Sequence, residues 1–272
     1  MKKIILGLII SMGIMPVFAV EDTAVPDTKT PPAAVEETVQ DTTTPTAAES
    51  AEATEPVATA EEQKPKTLDA IDMESLTPKN YPKKYNYEYV KKITPQYKSV
   101  GKDEIFYVAL DMLNITTGDF SRLAILGNNL TGKPVKIEFK NLGEINKDYA
   151  DFDALGWKKG KRLYIYINPR HKNAPAGALA ALLSHEALHQ DEYNSIAEET
   201  YAWTMEASVW CEILEEFPES GDDKMHPLVV REDTLKKLFE KGNYSNKYIK
   251  KSVLQNKGYQ DLPSTSPGFE DI

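Results

Sequence analysis

Residues 163–203, LYIYINPRHKNAPAGALAALLSHEALHQDEYNSIAEETYAW, decide how the chain folds. The first five alternate Tyr with Leu and Ile, which indicates a strand, and Pro169 ends it. Asn173 can cap a helix whose first turn holds a proline, and apolar residues continue at helical spacing through Leu188. A second helix begins near Ser195, so this stretch predicts a strand followed by two helices.

Further elements are predicted on both sides of this stretch. The second helix runs to about Phe217, and two shorter helices cover roughly residues 231–241 and 245–259. Upstream, the patterns predict helices at residues 105–113 and 120–126. They also predict strands at residues 135–139 and 150–155 and a turn at residues 156–160. Strands that precede a run of helices indicate an α+β fold with a small antiparallel or mixed sheet and additional C-terminal helices.

Composition divides the chain into five parts. Residues 1–19 have the basic, apolar and small-residue regions of a secretory signal peptide, with cleavage predicted after Ala19. Residues 20–66 are rich in Thr, Ala, Pro and Glu and are predicted to be a disordered linker. The remaining parts are predicted to be an N-terminal arm, the folded domain and a flexible tail, at residues 67–102, 103–262 and 263–272.

The predicted signal and the charge of the chain limit its location and partners. The signal predicts a protein that is secreted or lies in the periplasm or cell envelope, with no membrane span in the mature chain. Residues 21–66 hold eleven acidic and three basic residues, and so carry most of the chain's net charge of −10. No basic pattern typical of nucleic-acid binding is present, which excludes that class of partner. The single cysteine, Cys211, excludes an internal disulfide.

Residues 185–189 form an HExxH sequence. Residues four apart lie on one face of a helix, so His185 and His189 can bind one tetrahedral zinc ion. Zinc lowers the pKa of its bound water to roughly 7, and Glu186 can take that proton as the hydroxide attacks a carbonyl. The pattern therefore predicts a Zn²⁺ site with two histidine ligands and Glu186 as general base.

The third ligand of such a site should come from a neighbouring element, because catalytic zinc takes three protein ligands. Glu198 and Glu199 stand at the start of the next predicted helix, nine and ten residues after His189. Spacing alone leaves both glutamates open.

Two stretches of the chain resemble the gluzincin family of zinc metallopeptidases. Residues 185–190 are similar to the HExxHQ helix of its aminopeptidase branch, and residues 199–202 are similar to its glutamate helix. The resemblance implies a zincin-like fold with Glu199 as the third ligand and Glu198 as the competitor. It also implies that residues 163–167 form an edge strand, packed on the HExxH helix, that aligns an extended peptide by main-chain pairing.

The sequence departs from this family at three points. The gap between His189 and Glu199 is short, which indicates a compact, minimal version of the fold. Trp203 stands where an orienting Asp is expected, so the partner of the ligand histidines is not identified, although Glu206 could bond one of them. The Gly-rich motif that recognises a free amino terminus is absent, which argues against aminopeptidase activity.

Other polar residues are weaker candidates. The oxyanion donor stays open among four residues, Tyr201, His226, Tyr244 and Tyr248. His171 follows the predicted strand and is expected to be an exposed loop residue rather than a ligand.

These patterns together predict an exported, monomeric zinc metallopeptidase, an endopeptidase that acts on protein or peptide substrates. The alternative is a catalytically silent zincin-like module that binds peptide or glycan in the cell envelope. The unassigned oxyanion donor and the missing orienting Asp motivate that alternative.

Overall fold

A computed structural model of the protein describes residues 77–270. Within this range the chain forms seven α-helices and one three-stranded mixed sheet, which confirms the predicted α+β class. In chain order the elements are α1 (Tyr87–Tyr97), α2 (Glu104–Leu113), α3 (Asp119–Leu126), β1 (Lys136–Phe139), β2 (Ala154–Lys159), β3 (Arg162–Ile167), α4 (Ala176–Glu186), α5 (Ile196–Glu216), α6 (Pro227–Lys241) and α7 (Lys247–Gln255). The predicted signal peptide, the linker and the first part of the arm lie outside the described residues.

The helix boundaries follow local signals. Ser195 has an extended backbone, and its Oγ accepts a hydrogen bond from the Glu198 N–H, so it caps the start of α5. A proline follows the last residues of α5 and cannot continue the helix. Helix α6 begins earlier than predicted, because Pro227 occupies its first position and His226 Nδ1 accepts a hydrogen bond from the Leu228 N–H.

Strand β2 differs from its prediction. The sequence indicated a strand at residues 150–155 and a turn at 156–160, but β2 starts at Ala154 and continues to Lys159. Only Gly160 and Lys161 connect it to β3, and Gly160 adopts a φ of +62° that favours glycine. The pairing of β2 with β3 therefore extends through residues that the sequence assigned to a turn.

The prediction that residues 163–167 form an edge strand is wrong. The sheet order is β1-β3-β2, with β1 parallel and β2 antiparallel to β3, so β3 is the central strand. The nearly continuous apolar run of β3 fits a strand that is covered on both sides. Within the described residues, β2 is the edge strand that lies against α4.

Helix α4 lies at the centre of the core. All of its residues are buried, and it packs against α2, α5 and β2. Small residues let its neighbours approach closely. A Cβ added at Gly177 would lie 2.6 Å from Ser220 Oγ and 2.8 Å from Ile213 Cγ2. This close packing fixes α4 relative to α5, and both helices carry site residues.

Helix α1 lies in the segment expected as an extended N-terminal arm. Its neighbour Tyr85 and its own Tyr89 and Tyr97 each donate a hydroxyl hydrogen bond to Asp111 on α2, at 3.1, 3.2 and 3.2 Å. Burial is the main cause that raises the pKa of each tyrosine, and the Asp111 charge adds to it. One carboxylate therefore joins α1 to the core.

The last described residues also pack on the domain. Residues 263–270 were expected as part of a flexible tail, yet they run along the start of α5 and place Ser266 in a buried position. Within residues 77–270, no helix has both the length and the apolar character that crossing a bilayer requires.

Candidate metal centre

The two histidines of the HExxH sequence lie at the end of α4. The helix was predicted to continue through Leu188, but it ends at Glu186, and the Leu188 N–H bonds to the His185 carbonyl in a tightened last turn. His189 therefore lies just beyond the helix. Its ring still comes close to that of His185, with centroids 5.2 Å apart.

Glu199 faces both histidines from the first turn of α5. Its Oε2 lies 3.8 Å from His185 Nε2, and its Oε1 lies 3.8 Å from His189 Nε2. The three residues are buried, and one ligand atom from each lies within 4.8 Å of the others. Asn194 donates its side-chain N–H to Glu199 Oε1 at 2.6 Å, which fixes the carboxylate.

The atoms that face each other here lack hydrogen-bond partners. Among the described residues, His185 Nε2, His189 Nε2 and Glu199 Oε2 are buried and have no partner. Buried polar atoms in folded proteins are nearly always bonded, so these three unpartnered atoms need an explanation. Two imidazole nitrogens and a carboxylate oxygen are suitable ligands for a divalent cation, so this buried group could bind a metal ion.

The opposite nitrogen of each histidine is bonded to a carboxylate. Glu206 Oε2 lies 3.0 Å from His185 Nδ1, and Glu198 Oε1 lies 2.9 Å from His189 Nδ1. An ionised carboxylate only accepts, so Nδ1 donates the proton and Nε2 can keep its lone pair for a metal. Glu198 thus contacts the far side of a histidine, whereas Glu199 faces the centre.

Glu186 lies beside this group, under strand β2. Both of its carboxylate oxygens are buried without a partner among residues 77–270, and burial raises the pKa of this side chain. A Cβ added at Gly156 on β2 would lie 3.4 Å from Glu186 Oε2 and 3.2 Å from His189 Cβ. The sequence assigned Gly156 to a turn and so missed its close approach to the site.

Glu206 is held in turn by a buried arginine. Arg231 Nη1 lies 2.5 Å from Glu206 Oε1, and Nη2 lies 2.7 Å from Oε2, which is a bidentate pair. Arg231 on α6 also contacts Glu232 at 3.1 Å and Asp153 at 3.6 Å. No local pattern in the sequence points to Arg231, because its partner Glu206 lies 25 positions earlier in the chain.

The expectation that His171 is an exposed loop residue is wrong. A short turn after β3 carries His171 inward, where its Nε2 lies 2.7 Å from Asp153 Oδ1 and its side chain is fully buried. Burial raises the pKa of Asp153, but His171, Arg231 and Arg170 together outweigh burial and lower this pKa to about 2.

The four candidate oxyanion donors make other contacts or are exposed to solvent. Tyr201 packs on Phe269, His226 caps α6, Tyr244 is exposed, and Tyr248 lies near two lysines. Within residues 77–270, none of them shares a hydrogen bond or ring contact with His185, His189 or Glu199.

Tyr259 is a residue near the centre that the sequence analysis missed. It is fully buried, and its ring lies 5.9 Å from that of Trp203. Burial, and next the charge of Glu199, raise the pKa of its hydroxyl.

Comparison with protein-family models, with curated proteins and with solved structures finds no match for this chain. Function must therefore be inferred from the chain's own residues.

Proposed function

We propose that the chain is a zinc-dependent metallopeptidase with a compact, gluzincin-like site. The observation that carries this proposal is the buried group of His185, His189 and Glu199, in which one ligand atom from each residue lies within 4.8 Å of the others. His185 Nε2, His189 Nε2 and Glu199 Oε2 have no hydrogen-bond partner among the described residues. Two imidazoles and one carboxylate are a ligand set that catalytic zinc sites use. The similarity of residues 185–190 and 199–202 to gluzincin helices supports the same function.

Each surrounding residue has a role in this proposal. Zinc, when bound, would supply a Lewis acid that makes water easier to deprotonate near neutral pH. Glu206 and Glu198 would keep the two imidazole rings oriented through their Nδ1 atoms. A carboxylate oxygen of Glu186 would take a proton from the attacking water and return it to the leaving amine. The pKa of Glu186, raised by burial, suits that exchange.

The outer edge of β2 would align the substrate. Strand β3 pairs with one edge of β2, and no strand within residues 77–270 pairs with the other. Gly156 brings this edge beside Glu186 and His189. An extended peptide could add to such an edge by main-chain hydrogen bonds, which would place a scissile bond near the base. Export, proposed from residues 1–19 alone, would give access to substrates outside the cytoplasm.

The test compares the wild-type chain with Glu186→Gln. We expect both proteins to hold about one zinc ion per chain, because Glu186 is not among the three ligands. Only the wild type should hydrolyse a general protein substrate such as casein, since an amide cannot take the proton. Glu192→Gln, an exposed glutamate in the following loop, is the matched control and should keep activity. Turnover by Glu186→Gln at the wild-type rate would remove Glu186 from the mechanism.

A metal-holding module without turnover is the second candidate. The exposed fractions of His185, Glu186 and Glu199 are all 1% or less, which leaves little surface for a substrate carbonyl. Such a module would use the metal for stability and bind peptide or glycan at the same edge. Zinc bound at about one ion per chain, with no cleavage across a broad peptide library, would favour this candidate over the enzyme.

A further inference from the structure

We infer that the C-terminal segment, residues 263–269, helps to position the residues of the metal site, and that Ser266 is a positioning residue for His189. This inference rests on the proposed metal centre. It adds a residue 68 positions away from its contact on α5, in a stretch with no metal-ligand pattern of its own.

The segment completes the start of α5, the helix that carries Glu198 and Glu199. The first N–H groups of a helix have no partner inside the helix. Here the Ile196 N–H donates to the Pro263 carbonyl at 2.9 Å, and the Ala197 N–H donates to the Ser264 carbonyl at 3.1 Å. Together with the Ser195 cap, the segment fixes the turn from which both glutamates project.

Ser266 reaches the site through Glu198. Its Oγ donates to Glu198 Oε2 at 2.7 Å, and the other oxygen of that carboxylate lies 2.9 Å from His189 Nδ1. The Ser195 and Ser266 hydroxyls lie 2.9 Å apart. Because the Ser266 proton goes to Glu198, Ser195 donates to Ser266.

Burial protects the hydrogen bond between Ser266 and Glu198 from water. Ser266 and Glu198 are both buried, so water does not readily replace the hydroxyl. Phe269 holds the end of the segment in place, with its ring 5.9 Å from that of Tyr201. Removing the hydroxyl leaves one Glu198 oxygen without its donor, so the carboxylate can rotate and the His189 ring loses its fixed orientation.

The experiment measures metal affinity of the full chain, by chelator competition with zinc alone and with Co²⁺ alone. Residues that hydrogen-bond to a metal ligand are worth about 10–100-fold in metal affinity. Ser266 lies one hydrogen bond further from the metal, because it contacts Glu198 and not a ligand. For Ser266→Ala we expect a loss of about 10-fold and a shift in the visible absorption of bound Co²⁺. Ser264→Ala is the matched control, because Ser264 is exposed and contributes only its carbonyl.

Two further measurements separate positioning from stability. Ser266→Thr keeps a hydroxyl and should restore most of the affinity. The metal-free Ser266→Ala chain should melt below Ser264→Ala, because a buried carboxylate oxygen loses its donor, but it should remain folded at the temperature of the affinity measurement. If Ser266→Ala binds zinc as tightly as Ser264→Ala, or loses affinity only in proportion to its folded fraction, the inference is wrong while the metal site stands. If the wild type binds no zinc, both this inference and the proposed function are wrong.

Discussion

At the scale of single residues, the site depends on small groups at close contacts. Gly156 shows this, because a methyl group there would press on His189 Cβ and Glu186 Oε2 at 3.2 and 3.4 Å. We predict that Gly156→Ala displaces one of these side chains and lowers turnover of a protein substrate about 10-fold or more, as small misplacements in a site do. Steady-state kinetics checks this, with Lys159→Ala on the exposed end of β2 as control.

An unchanged rate for Gly156→Ala would show that β2 does not press on the site.

The sequence predicts His185, Glu186 and His189 as site residues, because their spacing is local. Spacing alone left Glu198 and Glu199 open, since neighbouring positions differ only in the direction of their side chains, and Glu199 was implied only by the resemblance to gluzincins. That direction depends on how α5 packs against α4, which local spacing does not encode.

At the scale of elements, α1 is joined to the core by Asp111 and three tyrosine hydroxyls. We predict that Asp111→Asn destabilises the protein by about 1–3 kcal/mol, because an amide loses the charge and one acceptor oxygen that these donors share. Urea unfolding gives the free energy. Tyr89→Phe removes one donor from the most exposed of the three tyrosines, so it should lower the free energy of unfolding by less than Asp111→Asn does.

Zinc affinity of the Asp111→Asn chain should remain at the wild-type value, since Asp111 has no contact with the site within residues 77–270. Equal stability of Asp111→Asn and the wild type would mean that the tyrosine hydrogen bonds to Asp111 do not hold α1.

Periodicity and caps were enough to predict α2, α3, α4 and α5. They did not give the order of strands in the sheet, because pairing joins residues far apart in the chain.

At the scale of the whole molecule, one buried charge network connects the sheet to α6 and the site. Asp153 has a pKa of about 2 in the fold, against an ordinary value of 3.8. A lowered pKa means that the ionised form stabilises the fold above about pH 4, and that this stability is lost as pH falls toward 2. We predict a loss on the order of 2 kcal/mol over that window, read from urea unfolding at each pH.

Asp153→Asn supplies the control for this pH dependence. It should be less stable than the wild type near pH 7, and the difference should shrink as pH approaches 2. A difference that stays constant with pH would contradict the network. No local signal in the sequence points to Asp153, Arg231 or Ser266 as partners of the site, since each acts across a long stretch of chain.

The central claim is that His185, His189 and Glu199 bind one metal ion, and zinc content tests it most directly. The measurement is zinc per chain after dialysis against a weak chelator, for wild type, Glu199→Gln and Glu215→Gln, an exposed glutamate on the same helix. We predict about one zinc for the wild type and for Glu215→Gln, and almost none for Glu199→Gln. Equal zinc in all three proteins, or none in the wild type, would contradict the account.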